Sequence, residues 1–593
     1  MRKATLALAI ALSLGVTACQ TQTQTQTLEA PMAPQAVVSA EFNQFSSQFI
    51  EALWQLAPTW ALYNGYHKYD AVLEIPDAAA REKTLGFVAA QRALLTAYDT
   101  RALTPSELID YKLIDNLLGS MQWEVERFKS WQWDPSSYNV AGGFAQIINE
   151  NFAPLDTRLR SVLARLEHVP EYYAAARSNI ENPTLEHTQL AVMQNEGAFS
   201  VFSDGLLQQV QDSGLSQEEQ ASFRQRFAAA TQAIHQHIDW LKQLQSRLER
   251  DGARSFRIGE DLYEEKFAFD IQSGMSAKQL YHKALADKDK VQAEMAKITT
   301  KLWSKYFTVP QPKDDREAIR TLIDKLSSRH VQRDDFVAEV RAQIPELIKF
   351  VNDKQLLTLD PKKPLVVRET PEYMRGYAGA SISAPGPYER SGNTYYNVSP
   401  LDGMSDTQAE SYLREYNHWI LQVLNIHEAI PGHYSQLVYS NQSPSLVKSL
   451  FGNGAMIEGW AVYAERMMLE QGYGDFEPEM WLMYYKWNLR VICNTILDYS
   501  IQVKGMTKEE AIALMTEQAF QQQAEAEGKW RRASLSQVQL TSYYAGFREI
   551  YDFREELKQA QGKDFDLKRF HETFLGYGSA PVKYIRSLML ASQ

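Results

Sequence analysis

The sequence predicts a mainly α protein: a large two-lobed helical bundle with a deep central cleft and a small β-hairpin or sheet near its candidate site. Three observations support this fold class. Apolar residues recur at three- and four-residue steps over most of 40–355, as at Phe45 and Phe49. Long charged segments such as 277–306 have the composition of extended helices. Strand-like composition is confined to one stretch between Pro364 and Pro400.

The composition is that of a globular protein with a substantial core. The chain has 593 residues, of which 45% are hydrophobic and 23% charged. Its net charge of -12 argues against nucleic acid as a partner, because binding to phosphates requires a basic surface. No apolar run of about 18 residues follows the N-terminus, so no membrane span is expected there. We find no convincing linker within 40–593, which predicts one large helical domain.

The N-terminus has the pattern of a lipoprotein signal. Residues 1–18 combine a basic start with an apolar stretch, and Val16–Cys19 resembles a bacterial lipobox. Cys19 is therefore the predicted lipidation site and the membrane anchor, and 19–39 a polar tether. Gln20 is not the aspartate that signals inner-membrane retention, which favours an outer-membrane lipoprotein facing the periplasm or the cell surface. The alternative is a simple secretory signal with an incidental cysteine.

Two strands are expected just before the motif described next. Leu365–Val367 and Thr394–Val398 are β-branched or aromatic runs bounded by Gly and Pro. Such a strand could pair with an extended peptide by edge addition. The alternative is a small structural hairpin.

The segment His427-Glu-Ala-Ile-Pro-Gly-His433 contains the strongest chemical signal. Zinc hydrolases need three N or O ligands and one free carboxylate. A spacing of six residues, at about 100° each, places the two histidines about 240° apart on a regular helix. We expect Pro431-Gly432 to disturb the helix so that a local bulge brings both imidazoles together. The alternative is a helix that ends at Pro431 and leaves His433 unrelated.

Glu458 is the candidate third ligand. It lies 25 residues after His433 and opens an apolar, helix-like run. The alternative is a first-turn glutamate that favours the helix dipole. Glu465, on the same predicted helix, is a candidate partner for a ligating histidine or else a solvated residue.

These motifs, H-E-A-I-P-G-H followed by E-G-W-A, resemble the bacterial DUF885 proteins, which look like distant relatives of the helical gluzincin metallopeptidases. The resemblance extends to Ala384–Arg390, Tyr395–Val398, Ser542–Gly546 and Phe570–Gly578, and it covers most of 40–590. This sequence departs from the family pattern after Arg490. The family often has Asp and then His at four-residue steps, and this chain has Asn494 and Asp498.

The resemblance implies a zinc hydrolase that cleaves peptide bonds in short peptides. His427, His433 and Glu458 would hold one zinc ion, and Glu428 would be the general base. Tyr543, and after it Tyr544, would stabilise the oxyanion. Residues expected to contact substrate are Tyr395, Tyr396, Asn397 and Arg390, and candidates for an arginine clamp on a substrate carboxylate are Arg390, Arg490 and Arg548.

Two other functions remain open at this point. One is a catalytically inactive peptide-binding or envelope-structural lipoprotein that retains the peptidase fold. The other is a metal-dependent hydrolase of cell-wall or other non-peptide amides. The oligomeric state is not predicted.

Overall fold

The computed structural model describes residues 35–363, 365–370, 379–384, 386–388, 393–443 and 445–591. The candidate residues Cys19 and Arg390 and most of the predicted tether lie outside this described part. The first helix begins at Gln35, so residues 35–39, which the sequence assigned to the tether, are helical.

Helices make up most of the described chain, which confirms the mainly α prediction. Those before the sheet are α1 (Gln35–Leu56), α2 (Pro58–Tyr63), α3 (Ala78–Leu95), α4 (Pro105–Trp123), α5 (Ser130–Trp133), α6 (Ala141–Asn149), α7 (Leu155–Leu166), α8 (Val169–Asn179), α9 (Leu185–Gly197), α10 (Asp204–Asp212), α11 (Gln217–Asp251), α12 (Gly259–Asp270), α13 (Ala277–Tyr306), α14 (Asp315–Ser327) and α15 (Phe336–Asp353). Those after it are α16 (Asp406–Glu415), α17 (His418–Glu428), α18 (His433–Asn441), α19 (Leu446–Leu450), α20 (Gly454–Glu470), α21 (Pro478–Gln502), α22 (Lys508–Ala513), α23 (Gln523–Leu535), α24 (Ser542–Gln561), α25 (Leu567–Gly576) and α26 (Val582–Ala591).

Short helical turns connect several of these elements. Two are π-helical, Glu124–Phe128 and Leu514–Gln518. The 3-10 turns are His67–Tyr69, Thr100–Ala102, Pro135–Ser137, Ala198–Ser200, Arg333–Asp335, Gln539–Thr541 and Gly562–Asp564.

Local sequence signals fix many helix starts. Ser276 and Gln279 form a capping box at the start of α13, in which each side chain bonds the backbone N–H of the other residue. Ser405 does the same with Gln408 at the start of α16. These reciprocal bonds satisfy donors that the first helical turn leaves unpaired, so the helix begins at a defined residue.

Within the described residues the sheet has three strands, β1 (Leu365–Glu369), β2 (Ala380–Ser383) and β3 (Thr394–Val398), in the order β1–β3–β2. β1 runs parallel and β2 antiparallel to the central β3. The two predicted strands are therefore confirmed. β2 was not predicted, and it places β3 in the middle of the sheet rather than at an edge.

Two large apolar clusters stabilise the fold. The larger combines α1, α3 and α4 with α12–α26 and β3. The smaller is formed by α2, α6, α7, α8, α10 and α11. Within the described residues, no helix combines the length and the apolar character needed to span a bilayer.

Candidate metal centre

The two histidines of the motif lie on separate helices. α17 ends at Glu428, one residue after His427, and α18 begins at His433. The structure therefore replaces the predicted bulge by a break of four residues, 429–432. The helix ends even earlier than the alternative hypothesis assumed, yet His433 faces His427, with ring centroids 4.8 Å apart and planes at 88°.

The break is held by backbone contacts that the motif's glycine makes possible. Gly432 N–H donates to the carbonyl of Ile426 at 3.0 Å. A Cβ on Gly432 would lie 1.9 Å from the His427 carbonyl oxygen, so only glycine fits this turn. Trp460 of α20 donates through Nε1 to the Pro431 carbonyl at 2.8 Å and fixes the connection from the other side.

Glu458 completes a cluster of three side chains that could hold a metal ion. It lies in the second turn of α20, which begins at Gly454, so it is not the first-turn dipole glutamate of the alternative interpretation. Its Oε2 is 3.4 Å from His433 Nε2 and 3.7 Å from His427 Nε2. Ligand atoms at about 2.1 Å from a tetrahedral zinc are about 3.4 Å apart, so the observed spacing fits one ion. The three donor atoms all lie within 4.8 Å of one another.

The donor chemistry also fits a metal. Glu458 Oε2 is buried and has no hydrogen-bond partner in the described structure, which is costly unless a cation or a water binds there. Burial would raise the pKa of Glu458, but the two imidazoles beside it hold that pKa well below its usual range. The carboxylate therefore stays ionised, as a ligand must.

Glu465 orients His427 from behind. It is fully buried, and its Oε1 lies 2.6 Å from His427 Nδ1 and accepts from Trp487 Nε1 at 3.0 Å. Nδ1 is thus engaged and Nε2 is directed to the ligand cluster, as in carboxylate–histidine–metal arrangements. Burial lowers the pKa of His427, but its contacts with Glu458 and Glu465 outweigh burial and raise it to about 10. Without a metal, His427 therefore holds a proton.

A close crossing of α20 and α24 positions the remaining candidates. A Cβ on Gly459 would lie 2.4 Å from Gly546 Cα, and one on Gly546 would lie 1.7 Å from the Ala455 carbonyl oxygen. Since neither glycine can carry a side chain, the two helices touch through their backbones. This contact places the first turn of α24, with Tyr543, beside the turn of α20 that carries Glu458.

The start of α24 is also tied to α21. The Asp498 carboxylate accepts from the backbone N–H groups of Val538, at 3.3 Å, and Leu540, at 3.1 Å, just before the helix. Burial raises the pKa of Asp498 to about 7. Asp498, one of the two departures from the family pattern, therefore supports the turn that leads to Tyr543. The other, Asn494, lines the cavity described next.

The ligand cluster lies on the wall of a cavity of about 1150 Å³. Its lining residues fall between 379 and 543 and come from β2, α16, α17, α18, α20, α21, α23 and α24. Glu428 is half-buried in this wall, next to His427. In the described structure its carboxylate has no hydrogen-bond or ion-pair partner, so it is available to accept a proton.

The two tyrosine candidates point to different places. Tyr543 lines the cavity, and its hydroxyl lies 3.3 Å from Arg532 Nη2. Burial raises its pKa, as does the charge of Glu458, so the hydroxyl keeps its proton. Tyr544 is fully buried and donates to Asp287 at 2.7 Å, away from the cavity lining.

The predicted substrate contacts on β3 are not part of the cavity wall. Tyr396 is fully buried and donates to Asn425 at 2.8 Å. Asn397 is fully buried and accepts from Arg368 at 2.7 Å. The Arg368 guanidinium stacks on the Tyr395 ring, 3.8 Å from its centroid. The sheet reaches the cavity through β2 instead, with Ala380, Ser381 and Ile382.

Of the two arginine candidates that the structure describes, only Arg490 lines the cavity. Arg548 pairs with Asp552 and lies near Asp287, outside the cavity lining. Sequence reasoning missed Trp487, Lys529 and Arg532, which all line the cavity. No spacing in the sequence identifies these three residues, although Trp487 lies one helical turn before the candidate Arg490.

Comparison with known proteins now identifies the family. The family described as "Bacterial protein of unknown function (DUF885)" matches residues 58–589. A structure described as that of a candidate lipoprotein of unknown function from Shewanella oneidensis is 75% identical, with a TM-score of 0.88 over 93% of this chain and 99% of that one. A second such structure, from Colwellia psychrerythraea, is 16% identical and shares the fold, with a TM-score of 0.75 over 95% of this chain and 100% of that one. No curated protein matches the chain. The chain belongs to the DUF885 family of bacterial proteins.

Proposed function

We propose that this protein is a zinc-dependent peptidase that hydrolyses short peptides. One observation carries the proposal: the donor atoms of His427, His433 and Glu458 converge within 4.8 Å on a cavity wall, beside the Glu428 carboxylate, which has no partner among the described residues. Two histidines and one carboxylate, with room for a fourth ligand, form the donor set of catalytic rather than structural zinc sites. The same arrangement supports a distant relation to gluzincin metallopeptidases.

A zinc ion at these ligands would supply Lewis acidity toward a carbonyl and would lower the pKa of a coordinated water to about 7. Glu428 takes the proton from the attacking water and passes it to the leaving amine, which requires a carboxylate free of other partners. Tyr543 donates its hydroxyl hydrogen to the developing oxyanion, and its raised pKa keeps that hydrogen in place. Glu465 holds His427 in the ligating orientation throughout.

The cavity supports an extended peptide as substrate. β2 is an edge strand of the described sheet, and Ser399 N–H donates to the Gly379 carbonyl at 2.9 Å. Because hydrogen-bonded pairs alternate along an antiparallel ladder, the backbone groups of Ala380 and Ile382 point away from β3. Both residues line the cavity, so a short peptide could add to this edge.

We place the protein at the cell envelope. The sequence pattern before Cys19 favours lipidation and an outer-membrane anchor that faces the periplasm or the cell surface. The 75% identical Shewanella oneidensis protein carries the description of a candidate lipoprotein, which supports an anchored form. An anchor of this kind would keep the peptidase close to peptides that enter or leave the envelope.

A peptide-library assay tests the proposal. The chain without its first 19 residues is supplied with zinc and incubated with mixed peptides of three to ten residues, and new termini are identified by mass spectrometry. We expect cleavage that Glu428→Gln abolishes while the variant still binds zinc. Zinc binding without cleavage of any peptide would contradict peptidase activity and favour a peptide-binding protein. Cleavage that survives Glu428→Gln would contradict the assigned base.

A further inference from the structure

Basic side chains gather on the part of the cavity wall formed by α21 and α23. Arg490 comes from α21, and Lys529 and Arg532 come from α23. Glu525, one turn before Lys529 on α23, is the acid closest to them: it lies 2.7 Å from Arg490 and 3.8 Å from Lys529. Three basic side chains thus share one carboxylate within ion-pair distance in the described structure. Glu415 and Glu458 also line the cavity, but Glu415 is paired with Lys486 and Glu458 lies against the two imidazoles.

Buried lysines elsewhere in this molecule are paired differently. Lys448 lies 2.6 Å from Asp110, and Lys486 lies 2.6 Å from Glu415. In these two cases one ammonium has one carboxylate at hydrogen-bond distance, as expected for a structural ion pair. A further buried lysine, Lys288, donates instead to the neutral Gln518 Oε1 at 2.5 Å. Lys529 is comparably buried, at 6% exposure, but its 3.8 Å contact is too long for a hydrogen bond. Among the residues that the structure describes, no acceptor lies at hydrogen-bond distance from this amino group, unlike the other buried lysines.

The other two cations are also incompletely neutralised. Arg490 packs over the Trp487 ring, 4.8 Å from its centroid, and its Nη1 has no hydrogen-bond partner in the described structure. Arg532 is exposed, and its guanidinium donates to two neutral groups, the Gln539 side chain and the Tyr543 hydroxyl. The cluster therefore retains positive charge and donors for a further anion.

Two chains of side-chain contacts connect this cluster with the candidate metal centre. Trp487, which Arg490 covers, donates to Glu465 behind His427. On the other side, Arg532 contacts Tyr543, whose pKa responds to the charge of Glu458. An anion held by the cluster would therefore lie in the same cavity as the reacting peptide bond.

We infer that Arg490, Lys529 and Arg532 form a carboxylate-binding subsite, which recognises the free C-terminal carboxylate of the peptide. The inference rests on the proposed function and deepens it: the enzyme acts on bonds close to the C-terminus, as a carboxypeptidase of short peptides. Guanidinium and ammonium groups match a carboxylate with charge-assisted hydrogen bonds. Burial and the neighbouring arginines lower the pKa of Lys529 to about 7, and a bound carboxylate would favour its charged form.

Binding by calorimetry, in the full chain carrying Glu428→Gln to prevent turnover, tests this subsite. The probes are N-acetyl-trialanine as the free acid, the same peptide as its C-terminal amide, and an amide-capped peptide with one internal glutamate. Each is titrated with zinc supplied and again after chelation. The chelated arm reports carboxylate selectivity even if the chain binds no metal, so failure of the subsite and failure of the peptidase proposal remain distinguishable.

The variants are Lys529→Met and Arg532→Gln, with Arg531→Gln as the control. Arg531 is the exposed neighbour of Arg532 on the same helix and does not line the cavity, so Arg531→Gln removes one positive charge outside the cavity wall. We expect the free acid to bind about tenfold or more tightly than the amide, because the amide loses the charge-assisted hydrogen bonds that a carboxylate accepts. Lys529→Met and Arg532→Gln should each remove most of that preference, and Arg531→Gln should retain it.

Equal binding of the acid and the amide would overturn the inference. The inference would also be overturned if Arg531→Gln lowered the affinity for the free-acid peptide as much as Arg532→Gln does, since the loss would then reflect the overall charge of the protein. If the internal glutamate peptide bound as tightly as the free acid, and lost affinity in the same variants, the subsite would bind a side-chain carboxylate and the C-terminal assignment would be overturned. Melting curves of each variant exclude unfolding as the cause.

Discussion

Replacing Glu465 by glutamine should weaken metal binding without removing a ligand. The Glu465 carboxylate is fully buried and lies 2.6 Å from His427 Nδ1, at the short end of charge-assisted hydrogen bonds. Glutamine keeps an acceptor oxygen but loses the charge that makes His427 a strong ligand. Partners of this kind typically change metal affinity by about 10- to 100-fold, or about 1.4–2.8 kcal/mol. Because both partners are buried, we expect the upper half of that range.

The assay is a zinc titration in competition with a chelator of known affinity. Glu470→Gln is the matched control, since Glu470 lies on the same helix and pairs with Arg466 and Arg554 outside the cavity lining. Zinc affinity of Glu465→Gln within about twofold of the wild type would refute the orienting role that we assign to this residue. So would an equal loss in both variants, which would indicate a general effect of buried charge.

Three further predictions concern the crossing of α20 and α24 and the protonation of His427 and Lys529. Gly546→Ala should lower the free energy of unfolding, measured in urea, by more than about 1–3 kcal/mol, the range typical of overpacking, because the new Cβ meets backbone atoms of Ala455. Gly86→Ala is the control and should not destabilise the protein, since a Cβ there has no neighbouring atom within 4 Å. Zinc must displace the proton of His427, so its apparent affinity should fall about tenfold for each unit of pH below 10, and binding in weak buffer should release protons. In metal-free protein, the raised pKa of His427 stabilises the fold fully below about pH 6.5, and this stabilisation is lost as pH rises toward 10. The lowered pKa of Lys529 has the opposite effect: its contribution to the free energy of unfolding increases as pH rises from about 7 to about 10.5. Lys529→Met should therefore steepen the alkaline loss of melting temperature, and an unchanged slope would contradict these directions.

The sequence predicted much of the helical framework because the signals there are local. α13 was predicted with its observed bounds, since its capping box and long charged pattern depend on neighbours in the chain. Immediately before the motif the structure has two helices, α16 and α17, and the Asn417 side chain caps the second. β2 was missed because Ala380–Ser383 is short and partly polar, and its pairing with β3 is a tertiary contact.

Three of the predicted site residues lie together in the structure, but by a different geometry from the one expected. Spacing identified His427, His433 and Glu458, and the structure brings them together through a helix break rather than a bulge. Tyr396 was expected to contact substrate, but tertiary packing buries it. The burial of Lys529 was not predictable, because a lysine in a polar helix sequence is normally solvated.

The most direct test of the central claim is the metal content of the purified chain, compared with His433→Ala and Glu458→Gln. The structure predicts one zinc per wild-type chain after zinc is supplied and removed from excess, and a clear reduction in both variants, since each loses one of three ligands. A wild-type chain that binds no metal under these conditions would contradict the account, and so would variants that retain a full equivalent.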